Sequence, residues 1–173
     1  MRKLLLVGAL AALSACSTTA PTQYFTLPDS QYQHPGNGRS EIAVKVFLAE
    51  PLNNGGLVYQ TDTYHVNFAR NHLWAGSLDD ALASGLSNKL NRLNSRYTFI
   101  PASRSSSMQV MKVYIEAFQG SFAGKTLVSG YALWPDGQSR PFHVETVQNG
   151  DGYTAMVESL NQGLDKAADA MLY

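Results

Sequence analysis

Ser77-Leu-Asp-Asp-Ala-Leu-Ala-Ser-Gly-Leu-Ser-Asn-Lys-Leu-Asn-Arg-Leu93 carries leucine at 78, 82, 86, 90 and 93. Steps of three and four put those side chains on one side of a helix, with Ala81 and Gly85 beside them and Asn88, Asn91 and Arg92 on the other side. Ser77 is a good N-cap residue, and Asp79 and Asp80 fall in the first turn, where the helix dipole favours carboxylates. The spacing predicts an amphipathic helix of about four turns, and a one-sided helix needs a flat apolar surface to pack on.

The flanking sequence supplies that surface as strands. Upstream, Glu41 to Leu48 alternates: Ile42, Val44, Val46 and Leu48 share one face, Ala43, Lys45 and Phe47 the other. Leu57 to Tyr59 and Tyr64 to Phe68 follow around a polar turn at residues 60–63. Downstream, Tyr97 to Ile100 stops at Pro101, and a polar loop occupies 103–107. Gln109 to Phe118 is apolar on both faces, with Met111, Val113 and Ile115 against Val110, Tyr114 and Phe118, which predicts a central strand. Ser121 to Gly124 turns the chain, Lys125 to Trp134 returns, and Pro135-Asp-Gly-Gln138 is hairpin chemistry before a strand at Ser139 to Val147. Pro141 lacks an N–H and predicts a free edge there. Past the breaker Asn149-Gly-Asp-Gly152, Asp151 caps a last helix reaching about Met171, with Tyr153, Met156, Val157, Leu160, Leu164, Ala167 and Ala168 as its stripe. The expected fold is α+β in two layers: a mainly antiparallel, mixed β-sheet with two amphipathic helices packed on one face.

The first fifteen residues read as a signal peptide. Arg2 and Lys3 precede an uncharged run from Leu4 to Leu13. That run is too short for a bilayer span of about 20 residues and suits a secretory h-region. It ends in Leu13-Ser-Ala-Cys16, which resembles the lipobox of bacterial lipoproteins; the alternative is an ordinary signal peptide with an incidental cysteine. In the lipobox reading Cys16 is the lipidation site, carrying diacylglycerol on sulfur and a further acyl chain, palmitate for example, on its amino group. Ser17 is not the aspartate that resembles an inner-membrane retention signal, so the expected address is the periplasmic face of a Gram-negative outer membrane. Residues 16–40 are expected to be a lipidated tether, interrupted by the β-rich island Tyr24-Phe-Thr-Leu27, and residues 41–173 a single domain.

The 173 residues hold thirteen basic and thirteen acidic side chains, so no basic excess exists to neutralise a nucleic acid. The single cysteine excludes an internal disulfide and a multi-cysteine metal site. His34, His65, His72 and His143 share no ligand spacing, and neither a Gly-x-Ser-x-Gly elbow nor a Ser-x-x-Lys motif occurs. Gly124-Lys-Thr126 resembles the end of a phosphate-binding loop, but Gln119 stands where its first glycine belongs and a strand follows. No catalytic residue, metal site or cofactor is therefore expected. The first half is dense in aromatics. Most fit a sheet core, while Tyr24, Phe25 and Trp74 are candidates for an exposed partner site.

An ordered set of motifs then points to a family. A lipobox is followed by Tyr24-Phe-Thr-Leu27, an Ile42-x-Val44 strand with Pro51 and Leu57 behind it, Val58-Tyr59, and Trp74-Ala75 feeding the leucine-spaced helix. This resembles the ABC-type transport auxiliary lipoproteins, the PqiC/YmbA-like group, although Gly76 stands where the family often has an acidic residue. The resemblance implies a non-enzymatic outer-membrane component of a lipid transport system that supports envelope integrity. Its implied partner is an inner-membrane-anchored MCE-domain protein. A homo-oligomeric ring is a further expectation, and phospholipid a candidate ligand. The alternative is a carrier lipoprotein that binds a small ligand or lipid itself. An enclosed apolar cavity would favour the carrier, an exposed apolar patch the docking component.

Overall fold

The computed structural model describes residues 20–36 and 38–173, so Cys16 and the signal segment lie outside the described residues. In chain order the strands are β1 (Gln23–Phe25), β2 (Ser40–Leu48), β3 (Gly56–Gln60) and β4 (Val66–Trp74), then β5 (Tyr97–Pro101), β6 (Val110–Ser121), β7 (Lys125–Leu133) and β8 (Ser139–Val147). Helix α1 spans Leu78–Leu93 and α2 spans Gly152–Ala170. Short 3-10 turns occupy Glu50–Asn54 and Ala102–Arg104.

All eight strands join one sheet, with β6 at its centre. One edge of β6 pairs with β7, and β7 with β8, both antiparallel, as the two turns at 121–124 and 135–138 require. The other edge takes two strands end to end. β2 lies along residues 110–115 and β3 along 119–121, both parallel to β6. Between them the chain makes only the Glu50–Asn54 turn, closed by Gly55 at φ 74°, a left-handed backbone that glycine adopts without strain.

This arrangement corrects the expectation of a mainly antiparallel sheet. Four of the seven strand pairings are parallel: β1 with β4, β2 with β5, β2 with β6 and β3 with β6. Periodicity marks a strand but not its neighbour, and only turns of two to five residues force an antiparallel partner. β5 reaches its place beside β2 after α1 has crossed the sheet, and a crossover of this kind leaves strands parallel. β4 also runs further than Tyr64–Phe68 suggests, to Trp74, because a register shift against β3 between Val58 and Gly56 breaks its alternation.

Both helices pack side by side on one face, α1 over β2 and β5, α2 over β6, β7 and β8. Leu82, Leu86 and Leu90 of α1 and Leu160 and Leu164 of α2 are fully buried against Val44, Phe99, Met111, Val113 and Phe118. Each such leucine contributes about 1.5–3 kcal/mol relative to exposure. Ser77 occupies the cap position, yet its hydroxyl donates to the Asp79 carboxylate instead of accepting a helix N–H.

The segment after β1 belongs to the folded body. Leu27 is buried, and the polar side of α1, expected to face water, is covered by residues 27–33. The Asn88 amide donates to the carbonyls of Asp29 (2.9 Å) and Gln31 (2.8 Å) and accepts the N–H of Gln33 (3.0 Å). Lys89, 2 % exposed, reaches Asp165 of α2 at 2.6 Å and Asp29 at 3.8 Å. Arg92 also pairs with Asp29, and that hydrogen bond raises the guanidinium pKa above its ordinary value. Asn91 donates to and accepts from the backbone of Phe99, filling the outer edge of β5 as a neighbouring strand would. The opposite edge is β8, which pairs only with β7 and carries Pro141, as expected of a free edge.

Candidate functional site

The three aromatic candidates do not form one surface. Successive side chains of a strand point to opposite faces, and β1 aligns Phe25 with Trp74 and Tyr24 with Leu73. Trp74 is 8 % exposed, tilted against Phe118 at 5.8 Å, and serves the core. Phe25 is half-buried beside His72 (5.9 Å) and Tyr153 (6.2 Å). Only Tyr24 faces solvent, 67 % exposed. Cys16 lies outside the described residues.

Aromatic side chains gather instead on the sheet face turned away from both helices. Register carries a single row across four strands: Phe47 of β2, Tyr114 of β6, Tyr131 of β7 and Pro141 of β8. Phe47 and Tyr114 stack at 4.9 Å and 14°, Tyr114 and Tyr131 at 4.7 Å and 15°, and the Lys45 ammonium sits 5.2 Å above the Phe47 ring. All three rings are partly exposed. Strand alternation could have found Phe47 and Tyr114, which both stand opposite their strands' apolar faces. The same alternation misleads at Phe118, because Glu116 is an extra residue between the Ile115–Gly130 and Ala117–Ser129 pairs. That bulge flips the parity and turns Phe118 into the core, 1 % exposed.

A second feature lies at one end of the molecule. The β3–β4 hairpin, the β6–β7 turn and the β8–α2 loop converge there: the Phe122 N–H donates to the Gln60 carbonyl and the Gln148 N–H to the Gly124 carbonyl, both at 2.9 Å. Between them is a cleft of about 500 Å³ lined by Tyr59, Ser121, Phe122, Asp151, Tyr153 and Met156 among others. Exposed Phe122 and Asp151 form part of its wall, so it is an open groove with polar groups rather than an enclosed apolar chamber. At the hairpin tip Asp62 accepts the N–H of Tyr64 (2.8 Å), and its carboxylate lies 2.8 Å from His65 Nδ1. The backbone bond from Tyr64 and then the His65 bond hold its pKa below the ordinary value. Lys125 does the same for Glu145 at 2.7 Å, which gives that carboxylate a structural role. Among the described residues no three His, Cys, Asp or Glu side chains converge as a metal site, and Gly124-Lys125 forms the β6–β7 hairpin.

Residues 25–172 match the family described as ABC-type transport auxiliary lipoprotein component. The chain belongs to that family. The match spans every described strand and both helices except the first residues of β1. The intermembrane transport lipoprotein PqiC of Escherichia coli (strain K12) is 32 % identical over 168 residues, covering 92 % of this chain and 90 % of that protein. PqiC of Shigella flexneri matches to the same extent. The crystal structure of an uncharacterized protein superimposes with a TM-score of 0.73 at 28 % identity, over 87 % of this chain and 95 % of that one. Membership makes this an auxiliary, transport-associated lipoprotein of the bacterial envelope.

Proposed function

We propose that this family member is anchored through Cys16 to the inner leaflet of a Gram-negative outer membrane. There it acts as the non-enzymatic docking component of an MCE-type lipid transport system that spans the periplasm. The observation that carries the reading is the helix-free sheet face with its Phe47–Tyr114–Tyr131 row. A continuous, partly exposed aromatic surface on a transport auxiliary is what a protein partner anchors to. The partner is an MCE-domain protein held in the inner membrane, in line with the intermembrane role named for the PqiC relatives. Anchoring confines the domain near one membrane and raises its effective concentration, so a weak contact per copy suffices, and a ring of copies would multiply it. The groove at the loop end is open and mixed in polarity, which gives the carrier alternative little support.

The test combines the native lipoprotein in detergent with an MCE-domain protein of the same organism, measuring mass by light scattering and affinity by titration. A stable complex with more than one lipoprotein copy is expected. A monomer that ignores that protein and retains stoichiometric lipid through purification would replace this reading with the carrier. Separately, Cys16→Ser is expected to leave unprocessed or soluble protein; a variant still acylated and still in the outer-membrane fraction would refute the anchor.

A further inference from the structure

We infer that the loop end of the domain, presenting Tyr64, Phe122, Val66 and Val147, rests on the lipid surface to which the chain is tethered. The inference relies on the Cys16 anchor proposed above. Tyr64 is 90 % exposed, Val147 63 %, Phe122 55 % and Val66 44 %. They come from three separate connections, yet pairing brings them to one end: Val66 lies opposite Gln60, Gln60 opposite Ser121, and Lys125 opposite Val147. Large apolar side chains exposed at loop tips and strand ends gain nothing from the core. A tyrosine beside aliphatic and phenyl groups suits the headgroup boundary, where amphipathic rings settle. Of the neighbouring charges, Lys125 pairs with Glu145, Asp62 hydrogen-bonds His65, and Asp151 stands exposed beside the groove.

The chain's path selects the lipid surface over other occupants. β1 runs parallel to β4 with Gln23 beside His72, so the chain enters β1 from the side on which β4 begins. Val66, at the loop end, precedes His72 by six positions in β4, and Cys16 precedes Gln23 by seven. At about 3.3 Å per residue, seven residues reach about 23 Å, enough to bring an acylated Cys16 level with Val66 at the base of the hairpin tip and little further. The chain therefore enters β1 from the end that carries the exposed apolar tips, and Cys16 is seven positions before Gln23. The docking of residues 27–33 on α1 leaves no slack after β1 to lengthen that span.

The experiment uses the full lipoprotein, purified in acylated form and reconstituted in phosphatidylethanolamine–phosphatidylglycerol vesicles. Single variants Tyr64→Cys, Phe122→Cys and Asp136→Cys are labelled with nitrobenzoxadiazole, the last at the β7–β8 turn on the opposite end. All three sites are exposed, so folding is expected to survive, and circular dichroism checks it. With a shallow nitroxide lipid in the vesicles, about twofold quenching is expected at Tyr64→Cys and Phe122→Cys, as for side chains at headgroup depth, and none at Asp136→Cys. Vesicle-bound, acylated protein whose three probes quench alike or not at all overturns the membrane-facing end while leaving the anchor intact. Probes at the first two sites that are blue-shifted but unquenched would show a second copy or another protein covering this end, which also overturns it. A chain found unacylated by intact mass, and failing to float with vesicles, sinks the anchor and this inference together.

Discussion

Asn88 illustrates how one side chain decides where the folded body begins. Placed on the polar side of α1, it is 5 % exposed because its amide binds three backbone groups of residues 29–33. Those groups have no strand partner, so the amide substitutes for one. Asn88→Ala is expected to cost about 1–3 kcal/mol, the penalty for leaving buried backbone groups unsatisfied. The loss should be local: hydrogen exchange and limited proteolysis should show residues 28–34 opening while β6 and β7 stay protected. Unchanged exchange in that segment would mean that Leu27 and Tyr32, whose hydroxyl donates to the Phe99 carbonyl at 3.0 Å, suffice to hold it. By itself the sequence of this segment, Pro28-Asp-Ser-Gln-Tyr-Gln-His34, resembles a linker. What orders it is an amide fifty-five residues later, and no local pattern exposes such a pair.

At the scale of elements, the helices and the β6–β7–β8 meander are where local pattern and fold agree. Leucine spacing placed α1 at its observed start and end, and turn chemistry placed both hairpins. Leu86 lies under α1 with no exposed surface, so Leu86→Ala should lower stability by about 2–5 kcal/mol and shift the urea midpoint without altering the slope. Disagreement between pattern and fold begins where a bulge or a non-neighbour pairing intervenes. Glu116 shifts the face of everything after it in β6, and β2 and β3 share one edge of that strand through a turn that reads merely as a breaker. Opposite the bulge, a β-carbon on Gly130 would collide with the Tyr114 carbonyl oxygen, which is backbone and cannot rotate away. Gly130→Ala should therefore destabilise by several kcal/mol, more than the roughly 1 kcal/mol range of strand propensities. A melting temperature within a degree of the parent would mean that the β6–β7 ladder gives way there without loss. The aromatic row is not legible in the sequence for the same reason: each ring is visible in its strand, but their adjacency depends on register across four strands.

For the whole molecule, the two exposed surfaces are set by one geometry. The apolar tips lie at the strand ends and the aromatic row crosses the strands on a sheet face, so strands standing on a membrane would hold the row parallel to the membrane plane and above it, with Tyr114 seven residues along β6 from Ser121. A partner arriving from the opposite membrane could then lie against the row without displacing the tips. This separates the two roles experimentally. Replacing Phe47 and Tyr131 together by alanine removes the ends of the stack while keeping Tyr114 to cover the sheet. Interface aromatics of this kind typically cost 2 kcal/mol or more when truncated, which predicts at least about thirtyfold weaker binding to the MCE protein in titration. Acylation, vesicle flotation and the quenching pattern of the loop-end probes should not change. Glu158→Ala, on the solvent side of α2, should leave binding at the parental value. If the double variant binds as tightly as the parent, the helix-free face is not the docking surface. If it binds weakly but also loses its lipid contact at the loop end, the two surfaces are not independent and the upright arrangement is wrong.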